Sequence, residues 1–402
     1  MNSYIQKGTP QYWRAISALF LGSLAAFGVI YCTQPLIPVF SREFNLTPAV
    51  SSLAMSFASG GMAVAMFAIA CLAGSLDRKL TMVISILGSA LLVIPITLSS
   101  DFTTIVVCRA AQGVFAAGFP AIAMAYINEE FAPEIRGLVI GIYVSGTSIG
   151  GLSSRLIVST ITDFFSWKVA LASIGLVGLL ISVWFYLAIP KSKHFLPHHH
   201  SLRTIASDLV QNLRHPIIIR LYVIAFAILG AFMAVYNYIG YPLMAPPYNL
   251  SQTAVGALFT LYLIGTFSST FMGGLSDRFG PAKILSLSIF IMLCGGLITL
   301  MSSLVIKIAG LAVFTFGFFG SHSVASSWVG KCCPGDKARA ASLYLLFYYF
   351  GASVVGTVGG LFLAQYGWPG VVLIAGLILG GALLLSRMLY SDDSVMWSQA
   401  HH

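Results

Sequence analysis

Charged side chains make up only 8% of the 402 residues, against about 25% in an ordinary soluble domain. That scarcity excludes a water-soluble enzyme, and 58% hydrophobic residues exclude a mostly disordered chain. Acids are the rarer sign, with 12 Asp and Glu against 21 Lys and Arg. No Gly-x-x-x-x-Gly-Lys-Ser/Thr loop is present, which excludes ATP as the direct energy source. No basic cluster is dense or interleaved with aromatics, so no nucleic-acid partner is expected. No short apolar core with a cleavage site opens the chain, so the first apolar run is expected to persist. Six cysteines lie in apolar runs or as the adjacent pair Cys332 and Cys333, a spacing that fits no zinc or redox motif. Neither disulfides, metal nor cofactor are expected.

Long apolar runs are abundant. A spanning helix needs about 20 apolar residues, and runs of that size fall at about 15–40, 49–74, 80–98, 102–127, 137–161 and 168–189. After a polar stretch at 190–216, six more follow at about 217–244, 252–274, 284–303, 305–328, 339–364 and 369–390. These runs are apolar all round, which excludes the ten-residue alternation of a membrane β-barrel. The expected fold is an all-α integral membrane protein with twelve transmembrane helices in two pseudo-symmetric six-helix halves. Its divisions are an N-terminal half at 1–189, a cytoplasmic linker at 190–216 and a C-terminal half at 217–402. With the N-terminus inside, only Arg42, Lys168 and Lys307 of the 21 basic residues fall outside, and two lie within spans. The other sixteen fall on the cytoplasmic side, which places both termini and the linker there. The net charge of +9 is then a topology label plus attraction to anionic lipid.

The chain repeats itself. Asp77-Arg78 follows the second run and Asp277-Arg278 the eighth, while Arg136-Gly137 precedes the fifth and Arg339-Ala340 the eleventh. The stretch from Gly273 to Gly280 fits Gly-x-Leu-x-Asp-Arg-x-Gly, the loop motif of the major facilitator superfamily, which the whole chain resembles. The first copy departs from that motif, with Ala73, Ser75 and Leu80 at its first glycine, leucine and second glycine positions. Arg109, Gln112 and Gly113 supply the family's fourth-helix motif Arg-x-x-Gln-Gly. The fifth helix carries Gly146, Gly150 and Gly151, close to the glycine-rich motif of the family's exporters but with Thr147 in place of the usual Pro. The stretch Gly150 to Arg155 and the Tyr344, Tyr348, Tyr349, Gly351 pattern are similar to the acriflavine-sensitivity, or putative arabinose and drug efflux, branch.

The resemblance implies alternating access, a small-molecule substrate, the lipid bilayer of the cell inner membrane as surroundings, and proton coupling. A monomer is expected. A cytoplasmic gate is expected from Asp77, Arg78, Glu129, Arg136, Asp277, Arg278 and Arg339, with Asp77 accepting from amides at the start of the eleventh helix near Arg339 and Asp277 from those at the start of the fifth near Arg136. Glu129 and its neighbour Glu130 are candidate partners of Arg78. Gly113, Gly146, Gly150, Gly151 and Gly351 are read as close-packing positions, with Gly137 and Gly141 further along the same helix. Arg109 and Arg155 are the two deep charges, and intramembrane charge points to function. The resemblance gives the Arg109 position a role in proton coupling or substrate binding, against a competing reading as a bond to backbone carbonyls. His322 is the histidine placed inside a span, where it either titrates or packs. Tyr31, Gln34, Asn237, Tyr238 and Tyr348 complete the expected substrate and proton pathway, and Pro35, Pro38 and Pro242 are expected to kink the first and seventh helices. The run His198 to His200 is read as a solvated loop, and His401-His402 is given no role.

No acid lies mid-span, which argues against an intramembrane enzyme and against the usual cation-drug antiporter. The expected function is a secondary transporter of an anionic or neutral amphiphile, proton-coupled and outward. The competing readings are an uptake permease for a sugar or organic acid and a cationic multidrug exporter.

Overall fold

The structure is a computed structural model that describes residues 4–195, 202–333 and 336–390. Among these, eleven helical stretches are long and apolar enough to cross a membrane. They are α1 (Pro10–Glu43), α2 (Leu53–Ser75), α3 (Arg78–Leu98), α4 (Phe102–Glu130), α5 (Pro133–Phe164) and α6 (Trp167–Ala188). After the linker helix Leu202–Arg214 come α7 (Pro216–Met244), α8 (Gln252–Phe279), α9 (Pro281–Ile298), α10 (Leu304–Cys332) and α11 (Lys337–Met388). At 52 residues α11 would be about 78 Å long, over twice the hydrocarbon thickness. It is two spans: Gly367 breaks it at φ 64°, a left-handed conformation that suits glycine, and Pro369 follows. Counting those two arms separately gives twelve crossings. α1, α5 and α9 begin three to five residues ahead of the apolar runs, because prolines open them at Pro10, Pro133 and Pro281 and a polar cap holds the first, Thr9 accepting from the Tyr12 amide at 3.2 Å.

Contacts divide the chain into two compact units, one from Met1–Val39 with Phe57–Ser201, the other from Phe40–Ser56 with Leu202–His402. In the first unit, Leu19, Phe119, Ile122, Tyr126 and Phe185 are fully buried in one apolar core. In the second, Phe232 stacks on Phe318 with ring centroids 3.8 Å apart and lies against Phe314. Large apolar side chains such as Leu98, Val64 and Leu361 point outward, as a surface facing lipid requires.

The two units repeat each other in their closest helix contacts. In the first, α5 crosses α1 where Gly150 lies against the Leu24 backbone and Gly28 approaches the Gly150 carbonyl. In the second, α11 crosses α7 where Gly351 lies against the Phe226 backbone and Gly230 approaches the Gly351 carbonyl. A Cβ at Gly150 or Gly351 would overlap backbone atoms, so the close approach itself requires glycine. Gly113 meets the Ala58 backbone on α2 and Gly146 meets Phe20 and Ser23 on α1 in the same way. Gly137 and Gly141 do not share this role, since a side chain there would meet nothing within 4 Å. They lie in the first turns of α5, ahead of the seam.

Candidate functional site

The first unit gathers five of the expected residues around a break in α1. Helical geometry runs from Pro10 to Tyr31 and resumes as a tight turn over Gln34–Leu36. The helix ends at Tyr31, so the Val29 and Ile30 carbonyls in its last turn lose their normal partners. Arg109, fully buried on α4, replaces them. Its Nη1 donates to the Val29 carbonyl at 2.8 Å and to Gln112 Oε1 at 2.7 Å, and its Nη2 donates to the Ile30 carbonyl. A guanidinium placed there also meets the negative end of the helix dipole. Gln112 passes the connection on, its Nε2 donating to the Ser89 carbonyl on α3 at 2.9 Å.

Arg155, 2% exposed on α5, takes the other side of the break. Its Nε donates to Gln34 Oε1 at 2.8 Å and its Nη1 to the Gly151 carbonyl at 2.6 Å. The guanidinium lies 4.2 Å from the centroid of the Tyr31 ring, a cation–π contact. Tyr31, Gln34, Arg109, Gln112 and Arg155 are thus one connected cluster, and Gly151 belongs to it as an acceptor rather than as a helix seam. Sequence reasoning missed Thr33 and Ser159, whose buried hydroxyls have no hydrogen-bond partner. Their signal was positional: Thr33 adjoins Gln34, and Ser159 lies one turn beyond Arg155.

The second unit holds an aromatic cluster. His322 Nδ1 lies 3.0 Å from the Tyr344 hydroxyl, and its ring stacks on Tyr348 at 4.5 Å. Phe318 lies parallel to it one turn away. Asn237 and Tyr238 sit elsewhere, at the α7–α11 seam. The Tyr238 hydroxyl donates to the Gly356 carbonyl at 2.7 Å, and Asn237 is buried beside Gly356. Gly356 lies eight residues from Tyr348, about 12 Å along the helix, so these two sets form distinct places.

At the helix ends expected to form the gate, each charge has a partner within its own unit. Arg78 clasps Glu129 through two bonds, at 3.0 and 2.7 Å, and the Phe195 ring covers it. Asp77 caps its own helix, accepting from the Leu80 amide at 2.7 Å. Glu130, buried, accepts from the Ser192 hydroxyl at 2.5 Å and from the amides of Lys193 and His194 at 2.7 and 2.9 Å. It thereby fastens the start of the linker. Arg136 donates to the Phe131 carbonyl at 3.0 Å. In the second unit Asp277 pairs with Lys331 at 2.8 Å, Arg278 covers Phe279, and buried Arg339 pairs with Asp336 at 3.1 Å. Lys307 is not a plain outer-loop charge. It is buried, donates to the Thr299 carbonyl, and lies about 6 Å from the Tyr248 and Trp368 rings.

Among the described residues no group of three His, Cys, Asp or Glu is placed to hold a metal. His198 to His200 and His401-His402 lie outside the described residues. What the clusters offer is a pair of fixed positive charges in one unit and a hydrogen-bonded imidazole among aromatics in the other.

Comparison with known proteins gives this arrangement a family. The uncharacterized MFS-type transporter YybF of Bacillus subtilis is 42% identical over 387 residues, covering 96% of each chain. The inner membrane transport protein YnfM of Escherichia coli is 40% identical over 389 residues, covering 97% of this chain and 93% of that one. The crystal structure of the nucleoside transporter NupG shares the fold, with a TM-score of 0.76 at 16% identity over 93% of this chain and 99% of that one. The sequence profile of the Major Facilitator Superfamily matches residues 19–241 and 235–397. With twelve crossings, a duplicated glycine seam and these relatives, the chain is a multi-pass membrane protein that belongs to the major facilitator superfamily of transporters and not to an enzyme family.

Proposed function

We propose that the protein is a secondary active transporter that moves an anionic or neutral organic amphiphile out across the inner membrane by alternating access, coupled to protons. It works as a monomer with both termini cytoplasmic and falls in the acriflavine-sensitivity, or arabinose and drug efflux, branch. The observation that carries the substrate sign is the placement of charge. Arg109 and Arg155 are buried mid-helix, whereas every acid among the described residues lies at a helix end, in a loop or in the linker helix. A guanidinium stays charged at any physiological pH, so a site beside this cluster attracts an anion and repels a cation. His322 is the histidine within a spanning helix, a side-chain type whose ordinary titration range lies near neutrality, and a hydrogen bond links its ring to the Tyr344 hydroxyl. Asp77, Arg78, Glu129, Arg136, Asp277, Arg278 and Arg339 serve as the cytoplasmic gate, exchanging the partners described above as the cycle proceeds. The inner-membrane location is supported by the name of the Escherichia coli relative.

The test is flux in proteoliposomes under an imposed pH gradient, with a panel of organic anions, neutral amphiphiles and organic cations. Anions are expected to be carried, with flux falling at least tenfold in Arg155→Lys, which keeps the charge but loses the planar fork to Gln34. His322→Gln is expected to remove the acceleration by the pH gradient while leaving downhill exchange. Equal transport of cations, with Arg155→Lys fully active, would overturn the substrate assignment, and gradient-driven flux intact in His322→Gln would overturn the proton role.

A further inference from the structure

A groove of about 550 Å³ opens at the linker-side end of the first unit. Thr9, Pro10, Gln11 and Arg14 of α1 line one side, and residues 187–190 at the end of α6 line the other. Arg14 lines it and two further cations adjoin it. Arg14 Nη2 donates to the Leu187 carbonyl and Lys79 Nζ to the Ile189 carbonyl, each at 2.8 Å. Exposed Lys191 follows the groove's last lining residue. Lys79 feels repulsion from both Lys191 and Arg14 and attraction from Asp77, so the three basic groups form one field with one acid among them. The nearby Glu129 is already matched by Arg78. Capping the carbonyl end of α6 accounts for one proton donor on each of Arg14 and Lys79, but three basic groups, two of them repelling Lys79, exceed what a helix end requires.

The surroundings place this field at a membrane interface. Trp13 beside Arg14 and Tyr186 beneath Lys79 are 63% and 58% exposed, the behaviour of aromatic rings at headgroup level. From the groove, Leu187, Val183, Leu180 and Leu176 run down α6 at helical spacing, all exposed, so a continuous apolar stripe leads from the basic groove toward the bilayer interior. A free phosphate would use the cations and leave the stripe unused. A neutral lipid would use the stripe and leave the cations facing one another.

We infer that this groove binds the headgroup phosphate of an anionic phospholipid in the linker-side leaflet, held between Arg14, Lys79 and Lys191, with an acyl chain along the stripe from Leu187 to Leu176. The lipid relieves the repulsion among the three cations and ties the beginning of α1 to the end of α6.

The experiment uses the purified full-length chain in mixed micelles containing phosphatidylglycerol or phosphatidylcholine. Lipid retention is read by native mass spectrometry and thermal unfolding by intrinsic fluorescence. Phosphatidylglycerol is expected to be retained preferentially and to raise the melting temperature. Each charge removed weakens its retention about fivefold, the equivalent of about 1 kcal/mol per basic residue at a membrane surface. Lys191→Gln, at an exposed position outside the helices, tests one charge without disturbing the fold, and Arg14→Gln with Lys79→Gln tests the other two. Lys168→Gln, at the opposite end of α6, is expected to change nothing. Equal retention of the two lipids, or undiminished phosphatidylglycerol retention in Lys191→Gln, would overturn the inference. So would inorganic phosphate alone reproducing the stabilisation, which would make the groove a site for the free ion.

Discussion

The two halves share a backbone plan and differ in what they place on it. Gly28 and Gly150 meet in the first unit as Gly230 and Gly351 do in the second, an offset of about 200 residues that also relates Asp77 to Asp277. Carried to the deep charges, that offset sets Arg109 against Leu311 and Arg155 against Gly356. The first half spends its interior on guanidiniums bound to glutamines and carbonyls, while the second fills it with stacked rings and a histidine. Duplication preserved the crossing points of the helices and left the polar chemistry free to diverge. The glycine seams therefore belong to the fold that the two halves share, and the asymmetry to what each half carries on it.

The strongest way to break this comparison is to make the first half resemble the second. Arg109→Leu copies the residue at the matching position and strips the donors from the Val29 and Ile30 carbonyls and from Gln112. Removing one partner of a buried polar network costs about 1–3 kcal/mol for each group left unsatisfied, so a loss of about 3–5 kcal/mol is expected in denaturant unfolding. Leu311→Arg is expected to be comparably harmful, because it places a new charge at a position only 1% exposed. A stability change under 1 kcal/mol in Arg109→Leu would show that the guanidinium does not hold the break.

Next comes a pair that tests what the halves share. Gly150→Leu and Gly351→Leu each drive a side chain into the backbone of the partner helix, and overpacking of this kind costs about 1–3 kcal/mol. Similar losses in the two variants are expected. A seam that tolerates leucine in one half and not in the other would mean the crossings have diverged as well.

The smallest effect lies at a helix start. Asp101 caps α4, accepting from the Thr104 amide at 3.0 Å, and that bond holds its carboxyl below the usual carboxylate range. The matching Ser303 starts α10 without a side-chain cap. Asp101→Ala is expected to lower the melting temperature slightly at neutral pH and Ser303→Ala to leave it unchanged. A depressed folded-state pKa stabilises above the unfolded value of about 3.9 and ceases to do so as pH falls through the folded value. The gap between wild type and Asp101→Ala should therefore close in acid, and a gap independent of pH would remove the charge from the explanation.

Much of this was legible in the chain itself. Run length gave the crossings, and Arg109, Gln112, Gln34, Tyr31 and Arg155 could each be picked out as polar groups in apolar surroundings. What could not be read was who answers them. The acceptors of Arg109 are backbone carbonyls freed by a helix break, and a carbonyl has no letter of its own in a sequence. Partners also depend on which way a side chain turns. Lys331 beside Asp277 and the linker amides on Glu130 lie 54 and about 60 residues away in the chain, with no motif to connect them. Gly137 and Gly141 show the opposite error: the spacing of a seam, but in the opening turns of α5, where a side chain would touch no neighbour.

The break in α1 also bears on insulation. An interrupted helix inside a bilayer invites water to its loose carbonyls, and water in file across the hydrocarbon is a leak for protons. Arg109 answers those carbonyls with a permanently protonated group that has no proton to give up at physiological pH. The turn at Cys32 and Thr33 in α1 is thus held by a cation whose charge does not vary over the physiological pH range.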